Sequence, residues 1–403
     1  MAESDTVTPK SDESREEAIP EAESAAEAAA AEKATSSEPH VVQETWSKLG
    51  RDVLIDKIKG VIYGQALGDA MGLATEFMSR DQAKRAYGLK GPSSFEEIVN
   101  DFHRSRWLKG DWTDDTDQML LILIGAIENK GQVLEKDFAA RLLKWMQSGF
   151  PELGDFGGMG VGSTVLRTVI SKEFCEDPHT AAYKVWEESG KYLAANGAIM
   201  RTSVLGVLNF NDLPQVIENT KKITLATHAD PRCVASCVAV TTAIAMMLQG
   251  CYDTNKADEL KSMVEQSVQL AKSELEDNTE TIKELERHVW AKKWSTLGLD
   301  EEQSIGYTYK ALGAGFFGLR NFSKFEKAIS ELVMQAGDAD SNCAVCGALL
   351  GCKLGYNALP IERLQMMPHI RWLDDHVARF LDLVGLSENS NELKSHEALE
   401  SDV

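Results

Sequence analysis

Two short acidic clusters, far apart in sequence, could do chemistry together. Thr113-Asp114-Asp115-Thr116 precedes one apolar helical run, and Asp338-Ala339-Asp340-Ser341 precedes another. So many carboxylates and hydroxyls at the mouths of two helices are hard to explain as solvated surface. They are what a pair of hard divalent cations requires: oxygen ligands, with one carboxylate placed to bridge both ions. Successive ligands cannot all point one way from regular helix. At a loop-to-helix junction they can splay, with Asp114 bridging and Thr113 and Asp115 flanking it. The positive end of the helix dipole would help keep these carboxylates ionised. An N-cap with extra acids is the structural alternative for the first cluster alone; its partner at Asp338 shifts the balance towards metal.

Other candidates surround these clusters. Gly64-Gln65-Ala66-Leu67-Gly68-Asp69-Ala70-Met71-Gly72 leads on to Glu76. Asp69 and Glu76 stand two helical turns apart and are expected to share a face. A carboxylate on a buried face is costly unless paired or metal-bound, although a solvated acid at a helix end is the simpler alternative for Glu76. Gly157, Gly158, Gly160, Gly162 and Ser163 form a glycine-dense loop opening a helix, where backbone N–H groups could face a phosphate. Asn196 and Gly197 form a second turn running towards a helix. His228, in Thr227-His228-Ala229-Asp230-Pro231, is either a ligand-binding residue or a mere cap.

The elements that must position these groups are helices. Apolar spacing predicts helices over Ile55–Phe77, Thr116–Ile127, Asp137–Met146, Thr164–Ser171, Pro231–Leu248, Ala257–Lys293, Ser304–Leu319, Lys324–Met334 and Ser341–Leu354. Strand-like alternation is nearly absent, so the expected class is all-α, one domain over 46–386. Residues 252–300, charged and periodic, are expected to protrude as a helical pair. Glycine recurs every fourth position at Gly64, Gly68 and Gly72 and again at Gly347, Gly351 and Gly355. Each costs on the order of 1 kcal/mol in a helix interior relative to alanine. Two stripes of them imply central helices packed backbone to backbone. If the helices are antiparallel, Glu76 arrives beside Asp338 and Asp340.

Composition sets the outer limits. A net charge of -21 and 43% hydrophobic residues describe an acidic globular chain with no basic stripe to attract nucleic acid. No run is expected to reach the roughly 18 to 20 apolar residues of a membrane span. The Glu-, Ala- and Ser-rich segment 1–45 lacks apolar mass and is expected to be a disordered acidic tail, with a flexible tail at 387–403. Seven cysteines without framework spacing imply reduced thiols. A cytoplasmic location is expected, with the nucleus as the alternative, and a monomer. A zinc site built from Cys343 and Cys346 with Cys233 and Cys237 is the less favoured reading beside small core residues.

Taken in order, Gly-Asp-Ala-x-Gly with a following Glu, Trp-Thr-Asp-Asp-Thr, the glycine-rich loop, Asn-Gly-Ala-x-Met-Arg, Thr-His and Gly-Asp-x-Asp-Ser resemble the ADP-ribosylglycohydrolases, in particular the dinitrogenase-reductase-activating glycohydrolase group. The resemblance covers roughly Lys57 to Leu359. It implies a compact multi-helix orthogonal bundle with a binuclear cleft holding two Mg2+ or Mn2+ ions. By residue match, Thr113, Asp114, Asp115, Asp338, Asp340 and Ser341 are metal ligands. Glu76 closes over the metals and the distal ribose and, with Asp115, serves catalysis. Gly157 to Ser163, Asn196, Gly197 and His228 bind substrate. Ala336, Ala339 and Ala195 stand where the family carries glycine, threonine and glycine, and none of these changes removes a carboxylate. The implied reaction is hydrolysis at the distal ribose C1 of ADP-ribose attached to a protein or a small conjugate. A non-catalytic ADP-ribose-binding or crystallin-like protein and a two-metal phosphohydrolase are the competing readings.

Overall fold

The computed structural model describes residues 47–276 and 278–387, which contain fifteen α-helices and, among the described residues, no β-strand. The tails expected at 1–45 and beyond 387 lie outside the described residues. In chain order the first five helices are α1 Arg51–Gly72, α2 Arg80–Tyr87, α3 Asp114–Glu128, α4 Glu135–Ser148 and α5 Ser163–Val169. There follow α6 Pro178–Glu188, α7 Leu213–Leu225, α8 Pro231–Gln249, α9 Ala257–Lys272 and α10 Thr279–Val289. The last are α11 Thr308–Asn321, α12 Phe325–Val333, α13 Ala339–Leu354, α14 Ile361–Gln365 and α15 Ile370–Leu383.

Helices α1 and α13 form the central pair, antiparallel and glycine against glycine. A Cβ built on Gly64 would fall 2.4 Å from the Gly347 carbonyl oxygen, and one on Gly68 would fall 2.2 Å from that of Cys343. At the far end Gly60 joins the stripe, 2.2 Å by the same measure from the Gly351 carbonyl oxygen. Side chains at these positions would force the axes apart, so the stripe sets the approach. Gly355 has a different role from the one its spacing suggests. It caps α13 at φ +86, with the Asp56 carboxylate where a side chain would stand.

Around this pair, α11 packs on α13, and α8 packs between α7 and α9 and against the turn Ser203–Gly206. Helix α8 corrects one expectation, being long and apolar enough to cross a membrane by length and composition. Its hydroxyls are hidden because Ser236, Thr241 and Thr242 donate to carbonyls one turn back in their own helix. Here it is a core helix, 89% of its most apolar window being buried in the fold. The segment expected to protrude does not. It breaks into α9 and α10 at Asn278, whose side chain caps α10, and Leu260, Met263, Val264 and Val268 are buried, with α9 packed on α8. Cys237, Cys343 and Cys346 are buried in the apolar core, and Cys233 is buried with its Sγ donating to the Ala195 carbonyl. Burial pushes all four thiols up, Cys346 to about 12, which disfavours thiolate and leaves them as small core residues.

Candidate functional site

The central pair delivers Asp340 and the approach to Glu76 to one place. A Cβ on Gly72 would fall 2.5 Å from Asp340 Cα, so the last turn of α1 lies directly on the first turn of α13. Helix α1 stops at Gly72, short of the predicted Phe77, because the chain tightens into a 3-10 turn over Leu73–Thr75 and then extends at Glu76. Asp69 and Glu76 therefore do not share a helix face. Phe77, at φ +59, turns the chain away, and its N–H donates to the Gly337 carbonyl at 2.7 Å while the Gly337 N–H returns to Met78 at 2.9 Å. The left-handed pair Ala336 (φ +59) and Gly337 (φ +74) makes this crossing, and a Cβ on Gly337 would fall 2.0 Å from the Leu299 carbonyl oxygen. Buried Arg104 donates to the carbonyls of Ala74 and Glu76, at 2.8 and 2.6 Å, and fixes the turn from behind.

Helix α3 brings the first acidic cluster. Thr113 is its N-cap, accepting from the Asp115 N–H, and Asp114, Asp115 and Asp117 occupy its first turn. Asp69 collects four donors from this junction: the N–H and Oγ1 of Thr113 and the N–H and Oγ1 of Thr116. It thereby fixes where α3 begins. Asp117 turns the other way, between the indole N–H groups of Trp112 and Trp145, and is not part of the cluster.

Two carboxylate groups result, each with ligand atoms within 4.8 Å of one another: Asp69, Asp115 and Asp340, and Glu76, Asp338 and Asp340. Asp340 is common to both. Asp114, expected to bridge, belongs to neither group. Asp114 accepts from Gln118 Nε2 at 2.8 Å and lies against Gly160, whose Cβ would fall 2.2 Å from Asp114 Oδ1. One oxygen of Asp115 and one of Asp340 are buried without a hydrogen-bond partner among the described residues. Burial and then mutual repulsion push Asp114, Asp115 and Asp340 well above the carboxylate range. Burial raises Asp69 to about 7 against the pull of its threonine donors. Unpaired buried anions of this kind call for cations.

These shifts predict a pH dependence. Raised carboxyls bind more protons folded than unfolded between the ordinary aspartate value, about 4, and the folded value, about 7 for Asp69. Their stabilising contribution is whole below the first value and lost as pH rises through the second. In chelator, the melting temperature is expected to fall as pH rises from about 5 to about 7.5. Magnesium or manganese should flatten or invert that slope, and Asp340→Asn should reduce it in chelator. An unchanged slope in the variant would contradict the assignment.

The cluster floors a cavity of about 390 Å3. Gly160, Gly162 and Ser163 line one wall, and Asn196, Gly197 and His228 another. Asn196 reaches Asp338, its Nδ2 donating at 2.8 Å, so it orients a cluster carboxylate while lining the cavity. Ser341 lines the floor, and Thr113 stays behind it, bonded to Asp69. Gly157 and Gly158 are not brought into this lining. Gly158 donates to the Met146 carbonyl and backs onto the Trp145 ring, while Gly157 lines a separate shallow hollow beside Trp112 and His369. Half-exposed Phe77 stands at the rim.

Several neighbours carried no spacing signal. His103 Nε2 lies 2.6 Å from Glu76 Oε2, while Arg106 donates to its Nδ1 at 3.0 Å. Gln65 donates to the carbonyls of Asp115 and Met200, at 3.3 and 2.9 Å, tying α1 to both walls. Gln65 and Gln118 sit on helical faces that already read as core, and only a buried amide in an apolar stripe would have marked them.

An all-helical fold with paired acidic helix mouths on the floor of a glycine-walled cleft defines a class that the comparisons identify. The chain belongs to the ADP-ribosylglycohydrolase family, whose family model matches residues 50–391. It is 26% identical to an ADP-ribosylarginine hydrolase of Serratia proteamaculans, over 76% of this chain and 74% of that protein. It is 25% identical to the ADP-ribosyl-[dinitrogen reductase] glycohydrolase of Rhodospirillum rubrum, over 82% of this chain and 97% of that protein. A solved ADP-ribosylglycohydrolase-related protein complex shares the fold, with a TM-score of 0.55 at 20% identity, covering 83% of this chain and 99% of that one.

Proposed function

We propose that the chain is a metal-dependent hydrolase that cleaves the bond between the distal ribose C1 of ADP-ribose and a modified protein side chain, with arginine the first linkage to test. The observation that carries this reading is the convergence of both carboxylate groups on Asp340, at the floor of a cleft that no lysine or arginine lines among the described residues. A pyrophosphate ligand would be repelled by such a floor unless cations covered it. Arginine is taken first because the Serratia proteamaculans relative is an ADP-ribosylarginine hydrolase.

The donor set suits hard cations, and the unpartnered oxygens of Asp115 and Asp340 point to missing partners. Asp114, Asp115, Asp338 and Asp340, with Ser341 at the floor and Thr113 behind it, would hold two Mg2+ or Mn2+ ions, and Glu76 would stand over them. Bound there, the ions would supply charge neutralisation and Lewis-acid polarisation of the ribose hydroxyls and water. The protein's own groups do the rest. Carboxylates beneath the sugar favour the positive charge that develops at C1 as the bond to the leaving nitrogen breaks and water adds. Glu76, with Oε2 held by His103, keeps Oε1 to take the proton from that water. Asn196 holds Asp338 in place, and the Gly160–Ser163 wall lets the ligand approach the backbone.

Release of ADP-ribose from arginine-, serine- and acetyl-linked substrates, with and without chelator, tests the proposal. Chelator-sensitive release from one of them is expected, and no release from any in the presence of metal would overturn it. Glu76→Gln separates turnover from binding, because it keeps the size and removes the charge. ADP-ribose affinity is expected to stay within about tenfold, roughly 1.4 kcal/mol. Turnover should fall about a hundredfold or more. Equal turnover would remove Glu76 from the reaction.

A further inference from the structure

Arg201 is fully buried, and among the described residues its hydrogen bonds go to Gln118, Ile223 and Thr227 and to no carboxylate. A buried cation without a counter-ion is expensive, so its contacts should explain its presence. One arm, Nη1, donates to Gln118 Oε1 at 2.7 Å, and Gln118 Nε2 donates in turn to Asp114 Oδ2 at 2.8 Å. The other arm, Nη2, donates to Thr227 Oγ1 at 2.6 Å, and that hydroxyl lies 2.8 Å from His228 Nδ1. The Phe138 ring covers the guanidinium at 4.7 Å. One cation therefore stands behind a carboxylate on the floor of the cleft and an imidazole on its wall.

Donor bookkeeping fixes the imidazole. Guanidinium N–H groups only donate, so Thr227 Oγ1 accepts from Arg201. Its own proton needs an acceptor, and among the described residues the one in reach is His228 Nδ1. Nδ1 then accepts, and the ring proton belongs on Nε2. That nitrogen is buried, has no partner among the described residues, and borders the cleft, where His228 is part of the lining. Gly197 keeps the space beside it clear, since a Cβ there would fall 3.2 Å from Nε2. The ring stays neutral, burial and the Arg201 charge pushing it down to about 3.

We infer that Arg201 is a positioning residue with two outputs: through Gln118 it holds Asp114 in place, and through Thr227 it fixes His228 as an Nε2–H donor to an acceptor oxygen of the bound ligand. His228 is then neither a metal ligand through Nε2 nor a base. The use of this donor on ADP-ribose rests on the proposed function, whereas the tautomer and its origin do not.

The test reads the two outputs separately. Long-range 15N–1H correlation spectra of 15N-histidine protein, without ligand, should show His228 as the Nε2–H tautomer, its signal assigned by its loss in His228→Gln. Thr227→Val, near in volume, should shift the ring towards the Nδ1–H form and weaken ADP-ribose binding about tenfold. The Mn2+-induced melting shift should stay unchanged, and Thr227→Ser should restore both spectrum and affinity. Gln118→Met should reduce the Mn2+ shift and leave the tautomer alone, while Arg201→Lys should disturb both. Nδ1–H in the wild type, or an identical spectrum in Thr227→Val, would overturn the inference. Absence of ADP-ribose binding by a wild type with the expected tautomer would strike the proposed function instead.

Discussion

Asp340→Ala is expected to abolish turnover and to remove most of the stabilisation by magnesium or manganese. This carboxylate alone belongs to both groups of ligand atoms, so its loss breaks both at once. The expected fall in rate is at least about a thousandfold, the scale of losing a main electrostatic element of a site. A ligand at about a hundred times its dissociation constant adds about 2.7 kcal/mol to folding stability, and that increment should vanish. In chelator the variant should melt higher than the wild type, because a buried carboxylate repelled by its neighbours has gone. Asp114→Ala provides the contrast. Asp114 lies outside both groups and is held by Gln118, so its removal should weaken metal stabilisation and leave part of it. Thermal melts with and without metal, beside turnover, read all three effects. A wild-type metal shift in Asp340→Ala would refute the assignment.

The site was legible where its chemistry is written in contiguous residues. Carboxylates at a helix mouth mark the element they open, so Asp114, Asp115, Asp338 and Asp340 could be named as one cluster from order and spacing. The glycine stripes were equally clear, since a helix-weakening residue every fourth position has few causes besides backbone contact. Which carboxylate the two groups share was not legible, because it depends on how two distant segments meet. Asp340 is the shared one since α13 starts beside the last turn of α1. Nor could Glu76 be placed from helical spacing, because α1 ends earlier than its apolar pattern suggests. The stop is imposed from outside, by the crossing at Phe77 and Gly337.

The missed helices have their own reasons. Helix α2 buries Ala83 alone and has no apolar stripe to read. Helices α6 and α7 announced themselves through caps, with Asp177 before Pro178 and Asp212 two residues before Pro214, and each aspartate accepts from the third residue onward. His103, Gln118 and Arg201 act through contacts made across the fold. Nothing in the sequence around His103 points to Glu76, because the link is a single hydrogen bond between separate turns.

The glycine stripe gives the second large effect, graded along its length. At its far end a Cβ on Gly60 meets the Gly351 carbonyl oxygen at 2.2 Å, and at the near end one on Gly72 meets the Ala339 carbonyl oxygen at 2.4 Å. Alanine at either position gains up to about 1 kcal/mol of helix propensity. The clash is with backbone, which cannot rotate away, so overpacking of about 3 kcal/mol should dominate in both variants. Their melting temperatures should therefore fall alike, by several degrees. Activity should separate them. Displacement at Gly72 moves Asp340 against Glu76 directly, and a misplacement near 1 Å can cost about a hundredfold in rate. Displacement at Gly60 occurs twelve residues back along α1 from Gly72, about 18 Å away, and should cost less than about tenfold. Gly162→Ala is the control, since nothing lies within 4 Å of its Cβ and stability should hold. Equal activity losses at Gly60 and Gly72 would mean that the stripe serves stability alone. A graded loss would show that close packing of α1 on α13 sets the distance across the carboxylate floor.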